Sequence, residues 1–307
     1  ELAPKAARYL YAAGRSALAR YATREAASYL GAALDLVDGG GPVITGNGKP
    51  DDVAALVEDV ARAKQRNGEY GAARALWERA LGYARQRGDS ARISFIERRL
   101  GNVSFWAGHH DEAFDHYAAG LEAARLTGDE RLAARIRIAQ AAAFQELGRP
   151  GHALRELGEA LSIAERLKSA GMLARIHRAL MQLNMFVGRA AEARVHGERA
   201  IAFAGSANEP GVEWSAHWGI AVLAGLTGNA AELARHVREA HRIADELRSP
   251  VLAVWTSEVS IEYASGIGDW QSGLALAERT IPIARAVGAH TLLPRLLVWT
   301  GLMHLGR

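Results

Sequence analysis

Apolar and small residues recur along this chain at helical spacing, in blocks of about sixteen residues separated by short polar breaks. Ala73, Trp77, Ala80 and Leu81 fall at i, i+4, i+7 and i+8, which is one stripe of a helix. The spacing returns in Ala113, Tyr117, Gly120 and Leu121, in Ala153, Leu157, Ala160 and Leu161, and in Ala193, Gly197, Ala200 and Ile201. Small residues narrow such a stripe and let a second helix approach closely. The breaks are periodic as well: Gly68, Gly108, Gly148, Gly188, Gly228 and Gly268 stand 40 residues apart without slippage. Half a period out of phase come Gly88-Asp89, Gly128-Asp129, Lys168-Ser169, Asn208-Glu209-Pro210, Arg248-Ser249-Pro250 and Gly288-Ala289. Two breaks per period predict two helices per period. Glycine tolerates the left-handed conformation that ends a helix, Asp89, Asp129, Ser169 and Ser249 are placed to cap the next one, and Pro250 takes the first helical position.

A hairpin of two helices, each about 24 Å long, cannot bury its apolar face alone and has to stack on neighbours. The expected fold is therefore all-α, a right-handed α-α superhelix built as a solenoid of antiparallel helix hairpins. Residues 51–290 supply six units of 40 residues, and residues 291–307 the first helix of a truncated seventh. Upstream, Ala26, Leu30, Ala33 and Leu34 repeat the stripe, so residues 1–38 hold an N-terminal hairpin. The glycine- and proline-rich loop 39–50 absorbs a register slip of seven residues between the two. Within it, Gly46-Asn47-Gly48-Lys49-Pro50 invites comparison with a phosphate-binding loop. Val43 stands where the first glycine belongs and Pro50 where a magnesium-holding hydroxyl belongs, so that reading fails.

These stripes resemble the tetratricopeptide repeat, whose pattern sets Leu-Gly in the first helix, Gly at the hairpin turn, and Ala, an aromatic and Ala in the second. Leu100-Gly101, Gly108, Ala113, Tyr117 and Leu121 follow it closely. Leu233, Val237 and His241 depart from it, as do Gly273, Ala277, Thr280 and Ile281. Long-period arrays of this kind look like the sensor regions of large bacterial STAND/LuxR-type or cyclase-linked ATPase regulators. The run from Ala6 to Ala19 is similar to the segment that follows the ATPase module there. The resemblance implies a ligand- or protein-sensing region, with ATPase and output domains outside this chain.

Composition narrows the chemistry. Of 307 residues, 49% are hydrophobic and 23% charged, ordinary for a folded domain. The chain has 0 cysteines, which removes disulfides and thiol-held metals and fits a cytoplasmic setting. The start, Glu1-Leu2-Ala3-Pro4-Lys5, has neither an initiator Met nor a secretory pattern and reads as an internal cut. Its 37 basic residues barely exceed its 34 acidic ones, so direct nucleic-acid binding is not expected, and apolar stretches as short as Ala139 to Phe144 and Val251 to Trp255 give no expectation of a membrane partner. No cofactor, metal or enzymatic activity is expected from helices that offer no nucleophile elbow. His116, His196 and His236 share one position of three second helices and read as a solvent-facing stripe.

In a tetratricopeptide array the first helices line the concave face. Counting back from each turn glycine places Arg62 there, then Phe95, Arg98 and Asn102, then Arg135, then Arg175, Arg178 and Gln182, then Trp218, and last Trp255, Glu258 and Glu262. The arginines are expected to receive a small anionic effector or a carboxylate-bearing peptide, Trp218 and Trp255 to give an apolar wall, and Glu258 and Glu262 to meet a cationic group. The functional expectation is a non-catalytic sensing module that recognises its ligand in the concave groove; a passive peptide-binding scaffold is the alternative.

Overall fold

A computed structural model describes residues 2–39, 50–287, 289 and 291–306. The loop expected at 39–50 falls almost wholly outside the described residues, as does Gly288 of the last expected break. Among the described residues there are fifteen α-helices and no strand. They are α1 (Leu2–Ala19), α2 (Thr23–Asp38), α3 (Pro50–Arg66), α4 (Tyr70–Gln86), α5 (Ser90–Trp106), α6 (His110–Thr127), α7 (Glu130–Glu146) and α8 (Pro150–Arg166), followed by α9 (Ala170–Phe186), α10 (Ala190–Ala207), α11 (Pro210–Leu226), α12 (Ala230–Glu246), α13 (Pro250–Ile267), α14 (Trp270–Ala286) and α15 (Leu293–Leu305). Odd-numbered helices are the first of each hairpin and even-numbered ones the second.

The turns explain the period. Every forty-step glycine has positive φ, from +67° at Gly148 to +89° at Gly108. Halfway between them, Gly88, Gly128, Lys168, Asn208 and Arg248 also have positive φ. Most are followed by a residue whose backbone N–H reaches back five residues: Glu69 to the Lys64 carbonyl at 3.0 Å, His109 to Ser104 at 2.9 Å, Asn229 to Ala224 at 2.8 Å; after Gly128 the Asp129 N–H instead donates to the Thr127 hydroxyl at 3.0 Å. That closes the helix end in a left-handed cap. Asp89 then accepts from the Arg92 N–H at 2.8 Å, Asp129 from Arg131 at 2.9 Å and Ser249 from Leu252 at 3.4 Å. Ser169 makes no such side-chain bond, contrary to the sequence expectation.

The chain divides into two compact units, Glu1–Ile163 and Ala164–Arg307. In the first, the core is built from the second-helix stripes against first-helix apolar residues: Trp77, Leu100, Ile96 and Tyr117 are all buried. Gly101 allows a close approach, since a methyl group there would lie 2.5 Å from a ring carbon of Tyr117. The Tyr117 hydroxyl donates to Asn102 Oδ1 at 2.8 Å, so the ring is fixed at both ends. Arg74 of α4 grips Glu112 of α6 with both Nη atoms. In the second unit Met181, Ile220, Leu223, Ile243 and Ile261 are buried, and Arg194 of α10 grips Glu232 of α12 in the place equivalent to that Arg74 pair.

The histidine stripe does not face solvent. His116 donates to Glu97 across 2.7 Å, and His196 and His236 each share a hydrogen bond with another imidazole, that of His177 at 3.0 Å and of His217 at 2.8 Å. His236 is 2% exposed and His116 and His196 are half-buried. The reason lies in the register: each histidine follows the first stripe residue, Ala113, Ala193 or Leu233, by three positions and so turns toward the first helix of its own hairpin. Arg137 and Glu156 fill the same two places in the α7–α8 hairpin, 2.6 Å apart.

Candidate functional site

The first helices carry two distinct chemical environments, one in each unit. In the first unit Phe95, on α5, is the hub. The guanidinium carbons of Arg92, Arg98 and Arg99 lie 5.7, 5.5 and 5.2 Å from its ring centroid, and Trp77 meets the same ring edge-on at 5.9 Å. Arg62, on α3, pairs with Asp59 at 3.2 Å, and Asn102 is held by Tyr117. Phe95, Arg98 and Asn102 follow one another at three- and four-residue steps along one side of α5. Arg135, on α7, is exposed.

In the second unit Arg175 gives its Nη2 to both carboxylate oxygens of Glu209, at 2.6 and 2.8 Å, and Arg178 donates to Gln182 at 2.8 Å. Burial, and then the neighbouring Arg175, pulls Arg178 below the usual arginine range. Trp218 packs edge-on against Trp255 with centroids 5.7 Å apart and nearly parallel to Trp214 at 6.2 Å, while its indole N–H is buried without a partner. Glu258 is fully buried, and Arg295 of α15 reaches it at 2.8 Å and Glu262 at 3.3 Å. Burial pushes the Glu258 carboxyl up, against the pull of Arg295. The two carboxylates that were expected to meet an external cation therefore meet Arg295.

Beside them opens a cleft of about 410 Å³ lined by Val222, Gly225, Leu226, Val259, Glu262, Tyr263, Gly266, Ile267 and Trp299, with Gly228 at its edge. Apart from Gly228, every wall residue comes from a first helix: α11, α13 or α15. Glu262 is the one charged residue in that wall. Leu226 and Ile267, at the rim, are 75% and 59% exposed, and Phe186, forty residues before Leu226, is 56% exposed at the end of α9. Large apolar groups left open around a concavity are the usual mark of a binding surface. Sequence reading named Glu262 but not the cleft, which Gly266 helps to open by lacking a side chain: a Cβ added there has nothing within 4 Å. It also missed Arg92, Arg99 and Arg295, which lie on the sides of their helices.

Residues 89–166 match the family model of the tetratricopeptide repeat. Among solved structures the chain is similar to a Signal Transduction ATPase with Numerous Domains protein with a tetratricopeptide repeat sensor from Pyrococcus horikoshii, at 10% identity over 91% of this chain and 43% of that one, TM-score 0.66. It therefore spans less than half the length of that protein. It is also similar to the apo quorum sensor NprR from B. thuringiensis, at 11% identity over 97% of this chain and 81% of that one, TM-score 0.65. A third likeness is to the Rap conjugation gene regulator of the plasmid pLS20 in complex with the Phr* peptide, at 15% identity over 96% and 74%, TM-score 0.60. No curated protein matches by sequence. At these identities the likeness is one of fold: the chain is an array of tetratricopeptide-like helical repeats.

Proposed function

We propose that this chain is the non-catalytic, ligand- or protein-sensing region of a multidomain regulator, and that it recognises its ligand on the face made by the first helices. The observation that carries this reading is the cleft in the second unit, walled by α11, α13 and α15, apolar but for Glu262, and rimmed by the exposed Leu226 and Ile267. A pocket of that size suits a small effector or two or three side chains of a peptide. Support comes from the fold neighbours, one bearing a tetratricopeptide sensor on an ATPase and another holding a peptide. On this reading the ATPase and output functions belong to other domains, the setting is cytoplasmic, and occupancy of the cleft alters the packing of α15 through Trp299.

The test is a thermal-shift screen of the chain against metabolites and short peptides, repeated with Gly266→Phe, which fills the cleft from a position where a side chain meets no neighbour. A true ligand at a hundredfold excess over its Kd stabilises by about 2.7 kcal/mol, and Gly266→Phe removes that gain. Small-molecule hits favour the sensor, and peptide hits alone favour a passive scaffold. Hits indifferent to Gly266→Phe refute the cleft as the site.

A further inference from the structure

Val259, Glu262, Tyr263, Gly266 and Ile267 of α13 fall at i, i+3, i+4, i+7 and i+8 and make one wall of the cleft between α11, α13 and α15. Exposure rises along that stripe: Val259 is buried, Glu262 and Tyr263 are half-buried, and Gly266 and Ile267 face solvent. A carboxylate and a phenol ring therefore stand side by side partway down an apolar wall. The Tyr263 ring lies against α11 at Gly225, where an added Cβ would be 3.8 Å from a ring carbon. Trp299 brings a second ring from α15.

The charge of this cleft has one sign. Among the described residues no Lys, Arg or His lines it. Arg295 is the cation that reaches Glu262, and it does so with the same Nη2 that lies closer to Glu258, at 2.8 Å against 3.3 Å. One guanidinium set against two carboxylates leaves a negative charge over. Glu258 is fully buried and outside the cleft wall, whereas the Glu262 side chain is in the wall and 37% exposed, so the excess is presented to a ligand at Glu262. Aromatic rings beside a carboxylate attract a cation and disfavour an anion, and the preference is stronger between apolar walls than on an open surface. Those walls in turn call for an apolar body behind the charge.

We infer that this cleft takes a ligand with an apolar body and a cationic nitrogen, an alkylammonium group, which Glu262 receives between Tyr263 and Trp299 while Val222, Val259 and Ile267 cover the apolar part. The inference rests on the cleft being the recognition site, as proposed above, and adds the chemical class of what enters it. The same group is carried by a free amine and by a lysine side chain of a peptide.

Hexylamine, hexan-1-ol and hexanoate, one apolar chain with three heads, are titrated calorimetrically into the chain at pH 7.5 and constant ionic strength. A capped Leu-Lys-Leu tripeptide, and the same peptide with norleucine for lysine, carry the comparison into a peptide. Hexylamine is expected to bind about tenfold more tightly than hexan-1-ol, with hexanoate weaker than either. Glu262→Gln is expected to bring the amine down to the affinity of the alcohol and to leave the alcohol unchanged, a loss of selectivity that a misfolded cleft would not produce. Saturable hexylamine binding assigns a free amine, and binding confined to the lysine peptide assigns a peptide side chain. Equal affinities for cationic and neutral probes, a preference untouched by Glu262→Gln, or no saturable binding of either cation overturns the inference. Gly266→Phe separates the two failures: probes that it blocks but that show no preference for the cation leave the cleft standing as a site, whereas a cation preference indifferent to it overturns the cleft and the inference together.

Discussion

His177 and His196 face each other through their Nδ1 atoms at 3.0 Å, and forty residues on His217 and His236 repeat the arrangement at 2.8 Å. One imidazole of each pair has to donate and the other accept, so at least one ring must stay uncharged, and protonating both breaks the contact. Burial, and then the partner ring, depresses His177 and His217 to about 4; His196 and His236 are lowered as well. Arg199 and Glu192 face the first pair, and Arg235, Arg194, Arg242, Glu232 and Glu239 the second.

Because these histidines bind protons more readily in the unfolded chain, stability is full above about pH 6.5 and is lost as pH falls toward about 4. The loss is expected to be on the order of 2 kcal/mol per pair. Urea unfolding at pH 7.5 and pH 5 measures it. His177→Leu combined with His217→Leu is expected to flatten the dependence; an unchanged slope would remove the pairs as its cause.

The left-handed turns give a prediction of opposite signs. Lys168 and Arg248 hold φ of 48° and 49°, a conformation that crowds Cβ, whereas Gly108 holds 89°. Lys168→Gly or Arg248→Gly is expected to stabilise by about 0.5 kcal/mol, the relief exceeding the added freedom of the unfolded chain. Gly108→Ala is expected to destabilise by about 1 kcal/mol. Denaturation midpoints distinguish these shifts readily.

The buried Glu258 makes Arg295 a structural cation. Arg295→Met leaves a carboxylate with no counter-charge and is expected to cost about 2 kcal/mol at pH 7, discounted for the half-exposed arginine. Glu258→Gln in the same background restores most of it. Since the Glu258 carboxyl is held high, its protonated form is favoured in the folded chain, and the Arg295→Met penalty shrinks as pH falls toward the carboxylate range. A double-mutant cycle at two pH values tests both statements.

The helical class and the turns were legible because they depend on residues close in sequence: a left-handed glycine and a cap such as Asp89 act within one turn of helix. The Gly101–Tyr117 contact was likewise foreshadowed, as a small residue and an aromatic sixteen positions apart in a pattern of fixed phase. The site was only partly legible. Charge pairing depends on residues far along the chain: Glu209 is 34 positions from Arg175, and Arg295 is 37 from Glu258. The histidines failed for a related reason, since a side chain's partner is fixed by the facing helix and not by its own residue type; nothing in the structure explains the missing cap bond at Ser169.

From α3 to α14 the helices are joined by only two or three residues, with a left-handed residue at every joint. Across these helices there is almost no loop in which to house specificity, so recognition there has to be written on helix surfaces, and joints of one design make each hairpin a cassette. Duplication or deletion in whole multiples of forty residues would preserve every splice, letting such a receptor acquire new ligands by exchanging modules rather than by reshaping loops.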